Sequence, residues 1–379
     1  MRWSSHPKIY VGLARRSPGR RISISNTRFL VDLPWDKPAG AMDSTAQVDG
    51  LLASAEPSIR YKVRVGVLGE SESSRSVRSL RREIRASPRV AALLAGRAAD
   101  GRLLRGRSVY QKWQGAHWVM AALADLGYPP GDQDLVAMRD QLLDAWLAPE
   151  FYDEFECASK AKVYSRPGVP VMRGRHRRCA SQQGNALYAI VTLGLADERT
   201  EALVERLLHW QWPDGGWNCD KDPGADSSSF METLTPLRGL AVFARQSGDS
   251  TVKAAVRHAA GVFLDRQLFK RRSTGTIIRD EFVRLHYPLY WHYDILGGLK
   301  VMSEAGFVRD PGCTAALELL ASKQLPDGGF PAEARHYKTS RRVELGADAV
   351  DWGGTSKRVA NPWVTADALS VLAAAMQFA

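Results

Sequence analysis

From position 42 onward, apolar residues recur at three- and four-residue spacing, the period of a helix with one buried face. The segments 119–126 (VMAALADL), 186–195 (ALYAIVTLGL), 237–244 (LRGLAVFA) and 315–321 (AALELLA) carry it most plainly. Alternating Val/Ile/Thr runs bounded by turns are nearly absent beyond short stretches such as 274–278. The pattern predicts an all-α fold.

Several of these helices begin at an aromatic or polar cluster and end near glycine: 117–127 (HWVMAALADLG), 185–194 (NALYAIVTLG), 230–239 (FMETLTPLRG), 292–298 (HYDILGG) and a last one opening at 361 (NPWVTADAL). Their entries lie 68, 45, 62 and 69 residues apart, and each interval has room for a second helix, as at 200–208, 252–268 and 313–323. That is a repeated helical hairpin, a unit that buries its faces only against neighbours. Residues 43–100 read as an opening helical pair that caps these repeats, and 43–379 as one domain.

The longer apolar runs fall far short of the roughly 20 residues that span a bilayer. The net charge of +11 is concentrated at the start: residues 1–41 carry eight Lys/Arg and two Asp. The modest surplus spread over the rest reads as solvated surface, not as a nucleic-acid footprint. Residues 1–42 lack the continuous apolar core of a secretory signal and read as a disordered leader or an early assigned start, with a transit peptide as the further alternative. Four scattered cysteines do not make a disulfide framework in a chain of 379 residues and point to a reduced, cytoplasmic protein.

One stretch occurs twice: 211–217 (QWPDGGW) and 324–330 (QLPDGGF). Asp-Gly-Gly makes a tight turn, and the Gln and the aromatic ring can pin that turn to adjacent helices. The two copies resemble the QW repeats of squalene-hopene cyclases and the related turns of protein prenyltransferase β subunits. The resemblance covers about residues 100–379 and implies the α/α toroid of that terpene-cyclase and prenyltransferase superfamily, a ring of helical hairpins around an aromatic-lined cavity. The chain has no Asp-x-Asp-Asp for alkene protonation and no Asp-Asp-x-x-Asp for a magnesium-bound diphosphate; the nearest clusters are 220–222 (DKD) and 348–351 (DAVD).

Prenyltransferase β subunits hold zinc with Asp and Cys near the start of one inner helix and a His at the start of a later one. Here Cys219 and Asp220 precede 227–237 (SSSFMETLTPL), which is similar to the first of these entries, and His292 in 290–299 (YWHYDILGGL) is similar to the second. The resemblance thus implies a zinc at Cys219, Asp220 and His292. The spacing departs from the family: Cys219 lies ten residues before Ser229, and Asp226, nearest the expected Asp position, has no adjacent Cys.

Cys219, His292 and one of Asp220, Asp226 or Asp294 would meet zinc's preference for sulfur, nitrogen and carboxylate oxygen. Equally, Cys219 fits as a small buried hydrophobe, Asp220 as a turn residue and His292 as a packed core ring. His286 or His292, paired with Asp294 or Asp220, offers acid/base chemistry without metal. Trp113, His117, Asn185, Trp217, Glu232, Tyr287, Tyr293 and Trp363 stand at or beside helix entries, where they would line one mouth. Arg178 closes a basic run, 173–178, suited to an anionic head group or simply solvated. The expected function is a toroid enzyme, transferase or cyclase-like, acting on an apolar or isoprenoid ligand, with or without zinc. The alternatives are a non-catalytic toroid binding a lipid or protein and a carbohydrate-active one. An α/β prenyltransferase would add a partner subunit, which no residue here identifies.

Overall fold

The computed structural model describes residues 45–376 apart from Arg105; the leader expected at 1–42 lies outside the described residues. Helices dominate. The opening segment forms α1 (Thr45–Leu52), α2 (Pro57–Lys62) continued by one π-helical turn (Val63–Val67), α3 (Arg75–Arg85) and α4 (Pro88–Leu93). The hairpins then follow as α5 (Ala116–Asp125) with α6 (Val136–Trp146), α7 (Ser181–Thr192) with α8 (Glu198–Trp210), α9 (Phe230–Ser247) with α10 (Ser250–Leu264), α11 (Ile295–Ala305) with α12 (Thr314–Ala321), and α13 (Pro362–Met376). Between α6 and α7 a flap of short strands, β1 (Glu154–Glu156), β2 (Val169–Met172) and β3 (Arg175–His176), pairs in the order β1-β2-β3. A second small pair, β4 (Lys338–Thr339) and β5 (Ala347–Asp348), lies before α13. No helix among the described residues is long and apolar enough to cross a membrane.

Local chemistry sets most helix ends. Ser74 and Ser87 cap α3 and α4, Asp249 caps α10, and Asp197 with Thr200 forms a capping box on α8. Gly248 and Gly306 end α9 and α11 at φ 75° and 84°, which glycine adopts without strain. Two ends differ from the sequence expectation for tertiary reasons. Helix α7 starts at Ser181, not 185, because the Glu232 carboxylate of α9 accepts the Ser181 N–H at 3.1 Å. Helix α10 stops at Leu264, not 268, because Leu268 takes a positive φ, buries its side chain and offers its carbonyl to the Tyr293 hydroxyl at 2.7 Å.

Alternate helices pack in series: α5 on α7, α7 on α9, α9 on α11, α11 on α13, and α13 on α2 and its π turn. At the α7–α9 contact the two backbones touch. A methyl on Gly184 would lie 2.3 Å from Pro236 N, and one on Gly239 would lie 2.4 Å from the Gly184 carbonyl. Gly184→Ala is therefore expected to destabilise the fold by about 1–3 kcal/mol through overpacking, read by urea unfolding; a change within a few tenths would show that the helices can part at no cost.

An apolar core extends continuously from Val48 in α1 to Leu372 in α13. Within it the series of helices converges on charge. Asp125, at the end of α5, accepts from Lys62 of α2 (2.7 Å), Lys300 of α11 (2.6 Å), Arg238 of α9 (3.2 Å) and the Tyr287 hydroxyl (2.9 Å). Asp367 of α13 accepts from Lys62 and Lys300, and Glu304 of α11 accepts from Arg238. The Arg238 guanidinium also sits 3.7 Å over the Tyr188 ring of α7. The segment expected to cap the repeats thus sends Lys62 into the middle of them.

The duplicated turn has the same bonds in both copies. Trp212 N–H donates to Gly216 O and Gly215 N–H to Trp212 O; Leu325 N–H donates to Gly329 O and Gly328 N–H to Leu325 O. Gln211 and Gln324 each donate a side-chain N–H to the carbonyl four residues on. Each aromatic then docks on the fourth residue of the next helix, Trp217 N–H on Thr233 Oγ1 (3.1 Å) and Phe330 N–H on Thr365 Oγ1 (2.9 Å).

Candidate functional site

Two successive hairpins, α7–α8 and α9–α10, bring a sulfur and oxygen cluster together at their entries. Cys179 ends the basic run just before α7, Cys219 follows the first duplicated turn, and Glu232 stands in the first turn of α9. The Sγ atoms of both cysteines and a carboxylate oxygen of Glu232 lie within 4.8 Å of one another. Both thiols are unbridged and half-buried, whereas Glu232 is buried. The Glu232 oxygens are oriented by Ser181 N–H (3.1 Å) and the Trp291 indole N–H (3.3 Å). The thiols are linked: a hydrogen bond from Cys219 lowers the Cys179 thiol below its usual value, and the same bond together with burial pushes Cys219 up. Cys179 is therefore the sulfur that ionises first.

Charges and rings surround this cluster. Arg178 packs over Phe151 at 4.2 Å and donates to Gln182. Lys221 donates to the Arg177 carbonyl at 2.5 Å. Burial, joined by the charges of Glu232, Cys179 and Cys219, raises the Tyr110 hydroxyl. On the far side of Trp291, His292 stacks on His336 with centroids 3.7 Å apart, and Lys112 lies over both Trp113 and Trp291.

The metal set implied by the resemblance is not the one assembled. Cys219 joins Cys179 and Glu232, while Asp220 and His292 belong to neither group of convergent ligands found among the described residues. Asp220 is exposed and accepts the Asp222 N–H at 2.9 Å, a turn contact. Asp226 is exposed and accepts from Ser227. Burial, with the charges of His336, His286 and Lys112, depresses His292 to about 3, so at neutral pH it is a weak base. Asp294 caps α11 through Gly297 N–H (2.7 Å) and accepts the His286 N–H (2.7 Å). The His286 ring lies 2.7 Å from Asp294; burial would lower its pKa, but the Asp294 carboxylate and the backbone hydrogen bonds at Arg284 and His292 together raise it.

Of the residues expected at a mouth, Arg178 and Glu232 belong to the cluster. Trp113 lies nearby, stacked on Tyr290 at 4.6 Å and donating to the His336 carbonyl. His117 and Asn185 form a buried pair. Trp146 Nε1–H can only donate, so His117 Nδ1 accepts it at 3.2 Å, and His117 Nε2 lies 3.1 Å from the Asn185 amide nitrogen. Burial holds His117 near 3. Trp217, Tyr287, Tyr293 and Trp363 are buried: Trp217 donates to Leu207 O, Tyr287 reaches Asp125 and stacks on Trp363, and Tyr293 packs among Phe230, Phe263 and Phe282. Sequence reasoning missed Cys179 as a neighbour of Cys219 and Glu232; the available signal was its place directly after the basic run and before a helix entry. Nothing in the sequence pointed to Lys62, Asp125, Lys300 and Asp367 as neighbours.

The donor set suits zinc: two sulfurs and one oxygen satisfy its ligand preferences, and three protein ligands leave one position open. No protein-family model matches the chain, and no curated protein is significantly similar to it.

Proposed function

We propose that the chain is a zinc-assisted transferase built as a closed ring of helical hairpins, with zinc held by Cys179, Cys219 and Glu232 and an apolar or isoprenoid ligand bearing an anionic head group. The observation that carries this reading is the convergence of two thiols and a carboxylate within 4.8 Å. Closure of the ring is supported by the helix series α5, α7, α9, α11, α13 and α2, whose last member returns to the first through Lys62 and Asp125. The duplicated turn supports the repeat.

When bound, zinc supplies a Lewis acid that lowers the pKa of a coordinated nucleophile. The chain's residues do the rest. Cys179 supplies the sulfur that ionises more readily, and Ser181 N–H and Trp291 Nε1–H fix the Glu232 carboxylate, as supporting partners of ligands do. Arg178 and Lys221 lie where they would hold an anionic head. The apolar part of the ligand lies across Tyr110, Trp291 and Trp113 and not down the interior. Arg238 stands only six residues beyond Glu232 on the same helix, and the ionic cluster it belongs to is a poor lining for hydrocarbon.

Metal analysis of tag-free protein tests the reading. Cys179→Ala and Cys219→Ala should each weaken zinc binding at this centre by about 100-fold or more, beyond the 10–100-fold typical of losing a supporting residue. Cobalt-substituted protein should show a thiolate charge-transfer band that both variants lose. Absence of that band in the wild type would overturn the assignment.

A further inference from the structure

A second group of donors stands on the flap, apart from the cysteine cluster. Glu154 lies on β1, His176 on β3 and His209 in the last turn of α8. Their ligand atoms lie within 4.8 Å of one another: His176 Nε2 is 3.0 Å from Glu154 Oε2, and His209 Nε2 is 2.8 Å from Glu154 Oε1. The two imidazole rings are 4.6 Å apart. We infer that Glu154, His176 and His209 form a binding site for a divalent transition-metal ion of the zinc class, which staples the flap to α8.

Two imidazoles and one carboxylate are a donor set that suits zinc, cobalt and nickel, whereas magnesium and calcium favour oxygen alone. Nitrogen and oxygen ligands held about 2.0–2.2 Å from a tetrahedral ion stand roughly 3.3–3.5 Å from each other, so the three side chains need only small adjustments. Their supports are in place. Pairing of Glu154 with Val169 and of His176 with Val171 holds the two flap ligands in register. Trp212 of the first duplicated turn donates to the His176 carbonyl at 2.8 Å, and Trp210 Nε1–H holds Glu154 Oε1 at 3.3 Å. The competing cation is Arg206, whose Nη1 is 3.9 Å from Glu154 Oε1; its guanidinium is also drawn to the Tyr152 ring at 4.6 Å. His209 is 46% exposed, which leaves the ion an entry path.

A staple has something to hold here. The flap carries its own small core of Cys157, Val163 and Met172 with Phe155, separate from the main one. Without an ion, Glu154 reaches α8 through His209, the Trp210 indole N–H and the more distant Arg206, and its ion pair with His209 is partly exposed and worth little by itself.

The test uses the tag-free full chain carrying Cys179→Ala and Cys219→Ala, so that the first metal centre cannot contribute. Titration with zinc should still reveal about one equivalent, and adding His209→Ala should remove it. As an independent readout, trypsin cleaves after the exposed Lys160 and Lys162 of the flap. At zinc about ten times its dissociation constant, cleavage there should slow roughly tenfold, and His209→Ala should abolish that protection. No zinc uptake by the double-cysteine variant would overturn the inference and leave the cysteine centre untouched. Uptake that survives His209→Ala, or that leaves cleavage unchanged, would equally overturn it.

Discussion

Asp125→Asn is expected to lower the unfolding free energy by about 3–5 kcal/mol, the cost of stranding buried charges when one partner is removed. Asp125 is only 11% exposed and accepts from Lys62, Lys300, Arg238 and Tyr287. Asparagine keeps the shape and removes the charge that those three cations share. The contrast is the exposed pair Arg60–Glu83, with side chains 27% and 48% accessible, where Glu83→Ala should cost no more than about 1 kcal/mol. Equal, small losses in urea unfolding of the two variants would refute the claim that the buried cluster joins the helices.

The same residue gives a pH signature. Burial would raise the Asp125 carboxyl, but the charges of Lys300, Lys62 and Arg238 outweigh it and hold the group well below its usual 3.8. A carboxyl depressed by folding contributes stability above its unfolded pKa, and that contribution is lost as pH falls toward the folded value. The gap between wild type and Asp125→Asn should therefore stay constant from pH 7 to about 5 and narrow below about 4. A gap that widened with acidification would reverse the assigned sign.

Trp217→Ala and Phe330→Ala should each cost about 3–5 kcal/mol, the usual loss for a fully buried aromatic. The two rings are 1% and 0% exposed and stand at matching places in the duplicated turn. Trp217→Phe separates packing from hydrogen bonding. It keeps most of the ring, leaves Leu207 O without its indole donor and should cost about 1–3 kcal/mol. Unchanged zinc binding in Trp217→Phe would agree with an architectural residue. Loss of metal without loss of stability would return Trp217 to the ligand-binding role that its position in the sequence suggests.

The helices of the hairpins were legible because their information is local. Apolar spacing, caps such as Ser74, Ser87 and Asp197, and terminal glycines act within one turn of the chain. The likeness of the two turns was legible for the same reason, since Gln211 and Gln324 each bond within their own turn. The candidate site was legible in part. Cys219, Arg178 and Glu232 stood out by their positions, but a helix entry looks the same whether its aromatic is left half-buried, as Trp291 is, or enclosed in the core, as Tyr293 is.

By itself, then, the sequence determined an all-α chain of repeated hairpins, the two docking turns and a short list of reactive residues, because short-range periodicity and turn chemistry are written in neighbouring positions. Only the tertiary structure decided that Cys219 meets Cys179 and Glu232 instead of Asp220 and His292, and that Asp125 gathers Lys62 from 63 positions before it and Lys300 from 175 positions after it. Those meetings depend on how closely one helix can approach the next. The Gly184–Pro236 contact sets such an approach between α7 and α9. It is a property of two surfaces together, and neither segment carries it alone.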